Sequence, residues 1–290
     1  ADAIGTVAIG YEALNLLTSG AKNLAIGHQA MGLMQTGTNN IAFGYQAMDA
    51  LQGGDGSGGV AASANGGNHN IAIGTDAMGA VEGYRSTTEI DGNIAIGTNA
   101  LLGGDLLNNN IDFVGNIAIG YNAVDATGNT QGMTGTIGIG YQALTSLTSG
   151  EANTAIGYNC LDAEVDGDKS VAVGYEALTS QTGTNGTVGN TAVGFQAGSN
   201  ITTGIENTIV GAFSTISAVG GQNQTAIGSG VTGQGNNSVT LGNTSVTDVY
   251  MAQDSGATVH TAGIQFPASQ AASGGANVLD DYEEGSGTPT

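Results

Sequence analysis

The chain has 290 residues, of which 52 are Gly and only 9% are charged, and its 24 acidic and 3 basic side chains leave a net charge of −21. Three scattered cations, Lys22, Arg85 and Lys169, cannot neutralise a run of phosphates, which excludes nucleic-acid binding of that kind and docking on anionic lipid. Apolar residues still make up 40% and recur at fixed positions, unlike those of disordered chains. The acidity favours solubility in a salty medium, with divalent-cation binding as the alternative.

A pentapeptide of the form Asn-x-Ala-Ile-Gly recurs from the first residues to position 242, and 17 residues is the commonest step between copies. Thirteen glycines close the copies: Gly10, Gly27, Gly44, Gly74, Gly97, Gly120, Gly140, Gly157, Gly174, Gly194, Gly211, Gly228 and Gly242. One copy is too small to bury an apolar face alone, whereas stacked copies bury continuous columns of like residues. The sequence therefore predicts an all-β fold, a parallel β-solenoid of about 13 short coils.

The three residues before each of these motif glycines form one short predicted strand, because apolar residues alternate with a period of two and glycine recurs too often for a helix. The positions one and three before the glycine are mostly β-branched and share one face. We predict that the position directly before the glycine forms an apolar ladder inside each coil. Its members include Ile26, Ile73, Ile96, Ile119, Ile139, Ile156, Val173, Val193 and Ile227.

The residue between these two positions is small, usually Ala, and points to the opposite face of the strand. Small side chains allow close approach of another backbone. We therefore expect this alanine column to be covered, either by the rest of the coil or by another chain.

An aromatic residue, as in Tyr45 or Tyr158, usually follows the motif glycine, and a polar residue, an alanine and an apolar residue come next. Most copies open with asparagine: Asn23, Asn40, Asn70, Asn93, Asn116, Asn153, Asn190 and Asn207. We predict that these side chains stack and hydrogen-bond the backbone at a tight corner. The alternative is an exposed polar ladder that reads a glycan.

Steps longer than 17 residues insert segments that must leave the solenoid, and such insertions tend to collect on one face. The longest contains a Gly-rich run at 53–59, which is predicted to be a flexible loop rather than a phosphate cradle because no Lys follows it. We expect these insertions to make the specific contacts with a partner.

Carboxylates alternate at Asp162, Glu164, Asp166 and Asp168, like the first half of a calcium loop. The bidentate acid that would complete such a loop is missing, since residue 172 is Ala. The sequence thus offers one candidate Ca²⁺ site, with a solvated acidic loop as the alternative. No other cofactor is expected.

No group of side chains predicts catalysis. His28, His69 and His260 occupy unrelated positions, and no nucleophile elbow is present. Cys160 stands in an alanine column, so we predict a small buried filler rather than a nucleophile, and as the sole cysteine it has no internal disulfide partner. Carboxylate pairs that could hydrolyse a glycoside are too common in so acidic a chain to be informative. We expect no enzymatic activity.

The repeat ends at Gly242, and the sequence divides into three segments. Residues 1–242 are the predicted solenoid, 243–270 a β-rich transition, and 271–290 a linker and acidic tail leading to a further C-terminal region. No stretch is long and apolar enough to cross a bilayer as a helix, so direct membrane insertion is not expected.

Two motifs carry a family resemblance: Asn-Thr-Ala-Ile-Gly-Tyr at 153–158 and Ser-Val-Ala-Val-Gly-Tyr-Glu-Ala-Leu at 170–178. They resemble the head repeats of trimeric autotransporter adhesins and, still more, repeats of bacteriophage tail-fibre proteins. The run Leu-Asp-Asp-Tyr-Glu-Glu-Gly at 279–285 is similar to a segment common in phage fibre-like proteins.

The resemblance implies a left-handed parallel β-roll, a homotrimer of side-by-side chains, and attachment to a host cell-surface glycan or protein. The expected function is that of a non-enzymatic tail-fibre segment, located on the virion or otherwise outside the cell. A bacterial surface adhesin or an extracellular filament subunit is the alternative. Ice binding is disfavoured, because the repeat lengths vary and the columns are Ile and Ala rather than a flat Thr array.

Overall fold

The computed structural model describes residues 4–51, 67–81, 89–103, 112–125, 133–183 and 186–250. The chain divides into two compact units, Ala1–Thr247 and Asp248–Thr290. Only residues 248–250 of the second unit are described, and they form no strand. Most of the predicted transition segment and the whole tail at 271–290 therefore lie outside the described residues.

Within the described ranges the first unit contains short strands and no helix. The strands are β1 (Val7–Ile9), β2 (Leu24–Ile26), β3 (Ile41–Phe43), β4 (Ile71–Ile73), β5 (Ile90–Asp91), β6 (Ile94–Ile96), β7 (Phe113–Val114), β8 (Ile117–Ile119), β9 (Met133–Thr134), β10 (Ile137–Ile139), β11 (Thr154–Ile156), β12 (Gly167–Asp168), β13 (Val171–Val173), β14 (Gly186–Thr187), β15 (Thr191–Val193), β16 (Thr208–Val210), β17 (Gln224–Ile227) and β18 (Ser238–Leu241).

Thirteen strands stack in one parallel sheet, in the order β1-β2-β3-β4-β6-β8-β10-β11-β13-β15-β16-β17-β18. Two smaller parallel sheets, β5-β7-β9 and β12-β14, run along another wall of the coils. This arrangement confirms the predicted parallel β-solenoid. The handedness and the homotrimer stay predictions.

The strand pairing keeps every column of the sequence repeat in register. Ile119 pairs with Ile139, and Ala118 pairs with Gly138, although the two copies are separated by 20 rather than 17 residues. The insertions therefore change the length of the connections without shifting the strands, as an insertion placed outside the stack should.

The structure reverses the predicted orientation of the strand columns. The alanine column lies inside the coil and is fully buried at Ala25, Ala118 and Ala226, so it is covered as expected, and of the two alternatives the rest of the coil is the cover. The position directly before the glycine lies on the outer surface. There, Ile73, Ile156, Val193 and Ile227 are 38%, 38%, 39% and 42% exposed, and Ile26, Ile96, Ile119, Ile139 and Val173 are half-buried. The prediction of an Ile/Val ladder inside the coil is wrong.

The physical reason is that most coils have little room on this wall for a side chain larger than alanine, although Ile209 is accommodated there and fully buried. Val124 is a β-branched residue in the buried column four residues after the motif glycine, where Leu and Met predominate. In the coil stacked on it, Gly138 replaces the usual alanine, and a Cβ at that position would lie 2.5 Å from Val124 Cγ2. The volume that Val124 fills is thus matched by the side chain that Gly138 lacks on the opposite wall, because protein interiors are close-packed.

From Gly10 to Gly194, each turn after the motif glycine uses two residues in the left-handed region of backbone conformation. In one coil these are Gln142 and Leu144, with φ of 52° and 55°. Such conformations are unfavourable for side-chain-bearing residues, by roughly 1–2 kcal/mol each. The turn is held by hydrogen bonds to its neighbours, since Gln142 N donates to Tyr121 O at 2.9 Å and Leu144 N donates to Cys160 O at 3.0 Å. The stack therefore stabilises a turn that one isolated copy would not maintain.

Candidate functional site

The outer wall of the main sheet carries a long apolar surface, which we call the apolar face. It consists of three columns, formed by the residues three before, one before and one after each motif glycine. The first two columns hold mostly Ile, Val and Thr, and the third holds mostly aromatic residues. Members such as Phe43 and Leu241 are 53% and 45% exposed. Charged residues are missing from the first two columns throughout their length, so this surface is suited to contact with another apolar surface.

The third column forms two runs of stacked rings. The short run is Tyr11, His28 and Tyr45, with ring centroids 5.2 Å apart. We call the long run the aromatic column; it comprises Tyr121, Tyr141, Tyr158, Tyr175 and Phe195, and it is continued by Phe213, which lies two residues after its motif glycine and is tilted by 59° against Phe195; the centroids are 5.0–5.3 Å apart. The sequence showed these aromatics as a repeat feature, but their continuous exposure follows only from the stacking.

A polar ladder runs beside the aromatic rings, formed by the residues two after the motif glycines from Gly10 to Gly194. Gln29 Nε2 donates to Glu12 Oε2 at 2.8 Å, and this hydrogen bond lowers the pKa of the Glu12 carboxyl. The Tyr11 hydroxyl interacts with the same carboxylate by hydrogen bonding and charge, which raises the pKa of the phenol. Glu176 raises the pKa of Tyr175 in the same way. These phenols therefore remain neutral at pH 7, and the rings add no charge to the apolar face.

The asparagines that open the copies form a buried ladder at one corner of the coil, as predicted. Asn93 is fully buried; its Nδ2 donates to Phe113 O at 2.6 Å, and its Oδ1 accepts from both Asn116 N and Asn116 Nδ2 at 3.0 Å. The same pattern links Asn40 to Asn70. The alternative of a glycan-reading ladder is wrong, because these side chains are no more than 1% exposed.

Replacing Asn93 with Ala should lower the free energy of unfolding by about 3 kcal/mol, because Asn116 N and Phe113 O lose their hydrogen-bond partners in a buried environment. The exposed Asn15, for which no side-chain hydrogen bond is found, provides the matched control, and its change to Ala should have little effect. Urea unfolding followed by circular dichroism measures both. Equal stability of the two variants would contradict a structural role for the ladder.

The candidate calcium loop is not arranged as the sequence suggested. The Glu164 side chain is fully buried inside the coil. Its Oε1 accepts hydrogen bonds from the backbone nitrogens of residues 165, 166 and 167. Its Oε2 accepts from Gln181 Nε2 at 2.6 Å and from Gly183 N at 3.1 Å. Five N–H donors thus surround this carboxyl group and engage both of its oxygens.

The other carboxylates of the loop are engaged elsewhere. Asp162 Oδ1 accepts a hydrogen bond from Thr179 Oγ1 at 2.7 Å, and Asp168 Oδ1 accepts one from Glu151 N at 2.8 Å. Among the described residues, no group of three or more His, Cys, Asp or Glu side chains is placed to hold a metal ion. Calcium binding here stays a prediction, but Glu164 acts as an internal hydrogen-bond acceptor rather than as part of a solvated loop.

The position of Glu164 could have been read from the repeat. It lies seven residues after its motif glycine, in a column that holds Met34, Leu51 and Leu147 in other copies. All three are fully buried. Column position therefore predicts burial for Glu164, whereas the local alternation of carboxylates suggested exposure.

Cys160 is a buried filler, as predicted. The side chain is fully buried, and its Sγ lies 3.2 Å from Ala172 O, to which it donates a weak hydrogen bond. Burial raises the pKa of the thiol to about 12, so the nucleophilic thiolate is not populated near neutral pH. Of the histidines, His28 stacks between Tyr11 and Tyr45, and His69 contacts Asn39 through its ring nitrogen at 3.2 Å. His260 lies outside the described residues.

The insertions predicted to contact a partner lie largely outside the described residues. They include residues 52–66, 82–88, 104–111 and 126–132. The expectation that insertions collect on one face stays a prediction.

A shallow cavity of about 290 Å³ lies near the end of the solenoid and is lined by Gly230, Thr232, Gln234, Thr240, Gly242, Asn243 and Thr244. None of the described segments forms a helix that could cross a membrane.

No family model, curated protein or solved structure matches the chain.

Proposed function

We propose that the chain is a non-enzymatic segment of an extracellular fibre, and that it serves as a rigid rod for attachment to a host surface. The stacked architecture supports this proposal. Thirteen strands at about 4.8 Å spacing form a rod on the order of 60 Å long. The buried asparagine ladder and the close-packed interior make each coil depend on its neighbours, as a stiff rod requires.

The apolar face is the observation that carries the proposal. Its two strand columns run the length of the rod and are roughly 10 Å wide, which gives an apolar strip of about 600 Å². The largest apolar patch on a typical monomer is about 300–600 Å² and is often functional. We infer that side-by-side copies of the same chain cover this strip in a homotrimer, as the resemblance to fibre repeats also implies.

The resemblance to phage tail-fibre repeats supports a place on a virion. In this proposal the solenoid supplies length and stiffness. Recognition of a host glycan or protein falls to the insertions between coils, since residues outside the repeat are free of the packing demands of the stack.

Light scattering coupled to size-exclusion chromatography tests the oligomer directly. The expected mass is about three times the 28.4 kDa of one chain, and electron micrographs should show rods on the order of 60 Å long in their solenoid part. A monomeric mass at micromolar concentration would contradict the proposed fibre.

A further inference from the structure

The rings of the aromatic column expose their edges to solvent rather than their faces. Its three inner rings, Tyr141, Tyr158 and Tyr175, are 41–43% exposed although each stacks on a neighbour above and below. The rings from Tyr121 to Phe195 are nearly parallel, with interplanar angles of 6–12°. Because both faces of the inner rings are covered by neighbouring rings, the surface left open to solvent is made of ring edges and hydroxyl groups.

Edge exposure decides between two kinds of partner. Recognition of planar or sugar-like ligands by aromatic residues uses the open face of a ring, and these rings offer none. The edge of an aromatic ring carries partial positive charge and contacts aliphatic side chains or the face of another ring favourably. The column is thus suited to the side chains of another protein surface rather than to a glycan.

The size and position of the column also fit a protein contact. Six rings of roughly 200 Å² each, a little under half exposed, present about 500 Å². From Tyr121 to Phe195 the motif glycine alone separates each ring from the strand residue before it in the chain, as Gly157 separates Ile156 from Tyr158. The rings therefore form the border of the apolar face beside the Ile/Val columns. A second neighbour would lie against this border.

We propose that the aromatic column is the seam between copies of this chain, and that its ring edges pack on the Ile/Val columns of the adjacent copy. This inference rests on the proposed homotrimer. In a closed three-fold ring each copy presents two different surfaces, one to each neighbour. The aromatic column and the Ile/Val strip supply these two surfaces.

The two surfaces match in spacing over the six coils that carry the aromatic column, out of the 13 along which the Ile/Val columns run. Both belong to the same stack of coils, so the ring of one copy lies at the same height as the strand residue of its neighbour in a parallel trimer. Over these six coils the rings and the facing part of the Ile/Val strip would bury about 800 Å² at each interface, and each copy forms two such interfaces in the three-fold ring.

A triple variant tests the seam: Tyr141→Ser, Tyr158→Ser and Tyr175→Ser. The control is Val165→Ser with Val219→Ser, because these side chains are similarly exposed, at 40% and 55%, on another wall of the coil. Sedimentation over a range of concentrations measures trimer dissociation. The Tyr variant should dissociate at a concentration roughly 100-fold higher than the unmodified chain, since aromatic anchors dominate such interfaces, and the control should be unchanged.

Tyrosine fluorescence gives a second readout that needs no variant. The chain has 9 Tyr and no Trp, so its emission reports tyrosine alone. Acrylamide should quench this emission less in the trimer than in the chain diluted to monomers. A trimer that survives the triple substitution, with tyrosines as open to acrylamide as in the monomer, would overturn the seam and leave the fibre proposal standing. A chain that never forms trimers would overturn both.

Discussion

Placing Asp at position 118 is expected to unfold the solenoid, whereas Asp at the neighbouring position 119 should leave it folded. Ala118 is fully buried in the interior of the coil, and Ile119 lies half-buried on the apolar face. An unpaired carboxylate inside the coil would cost several kcal/mol, a large part of the 5–15 kcal/mol that stabilises a typical domain. At position 119 the same carboxylate remains in contact with water.

Thermal unfolding followed by circular dichroism should therefore show a much lower Tm, or no folded baseline, for Ala118→Asp alone. Ile119→Asp should retain the strand signal and lose the trimer in light scattering, because the charge would be buried when copies associate. The opposite order of stability would mean that the strand columns are oriented as the sequence first suggested. Ala118→Ser is the control for a polar but uncharged change.

Gly120→Ala should also destabilise the coil severely, by more than about 4 kcal/mol. Gly120 has a φ of +141°, and a Cβ built on it would overlap the carbonyl oxygen of Gly140 in the next coil. Neither backbone can move away easily, because Gly120 N donates to Ile96 O and Gly140 N donates to Ile119 O, both at 2.8 Å. Motif glycines such as Gly27, Gly44, Gly74, Gly97, Gly140, Gly157, Gly174 and Gly194 show the same contact with the glycine of the following coil.

Two other glycines distinguish backbone strain from steric overlap as the cause of this destabilisation. Gly115 has a φ of +68° but nothing within 4 Å of a Cβ, so its change to Ala should cost only about 1–2 kcal/mol of backbone strain. Gly235 also has open space and no such φ, so Gly235→Ala should be nearly neutral or slightly stabilising. Chemical unfolding of the three variants should give this order. A Gly120 variant as stable as the Gly115 variant would show that the stacked coils can separate locally.

Much of the fold follows from the repeat alone. Alternation with a period of two, interrupted by glycine at a regular step, predicted the positions of the 13 stacked strands and their register. The asparagine corner and the role of Cys160 as a filler were also predictable, because each belongs to a column whose other members show what the site requires. The repeat carries this information because equivalent residues of a solenoid occupy equivalent environments.

The acidic loop shows where local pattern misleads. Alternating carboxylates at 162–168 suggested a solvated or cation-binding loop, but Glu164 lies in a buried column and accepts five hydrogen bonds. Burial of a charge depends on donors supplied by other coils, among them Gln181 and Gly183. Their proximity is a property of the stack and is not visible in the loop itself.

The sequence by itself determined that Ile and Ala lie on opposite faces of each strand, since residues one apart in a strand point in opposite directions. Only the tertiary structure decided which face is inside. That choice depends on the volume left by the opposite wall of the coil, as the pairing of Val124 with Gly138 shows. Because the interior wall accepts alanine in most coils, the Ile/Val columns and the stacked rings lie on the outside, where another copy of the chain can cover them.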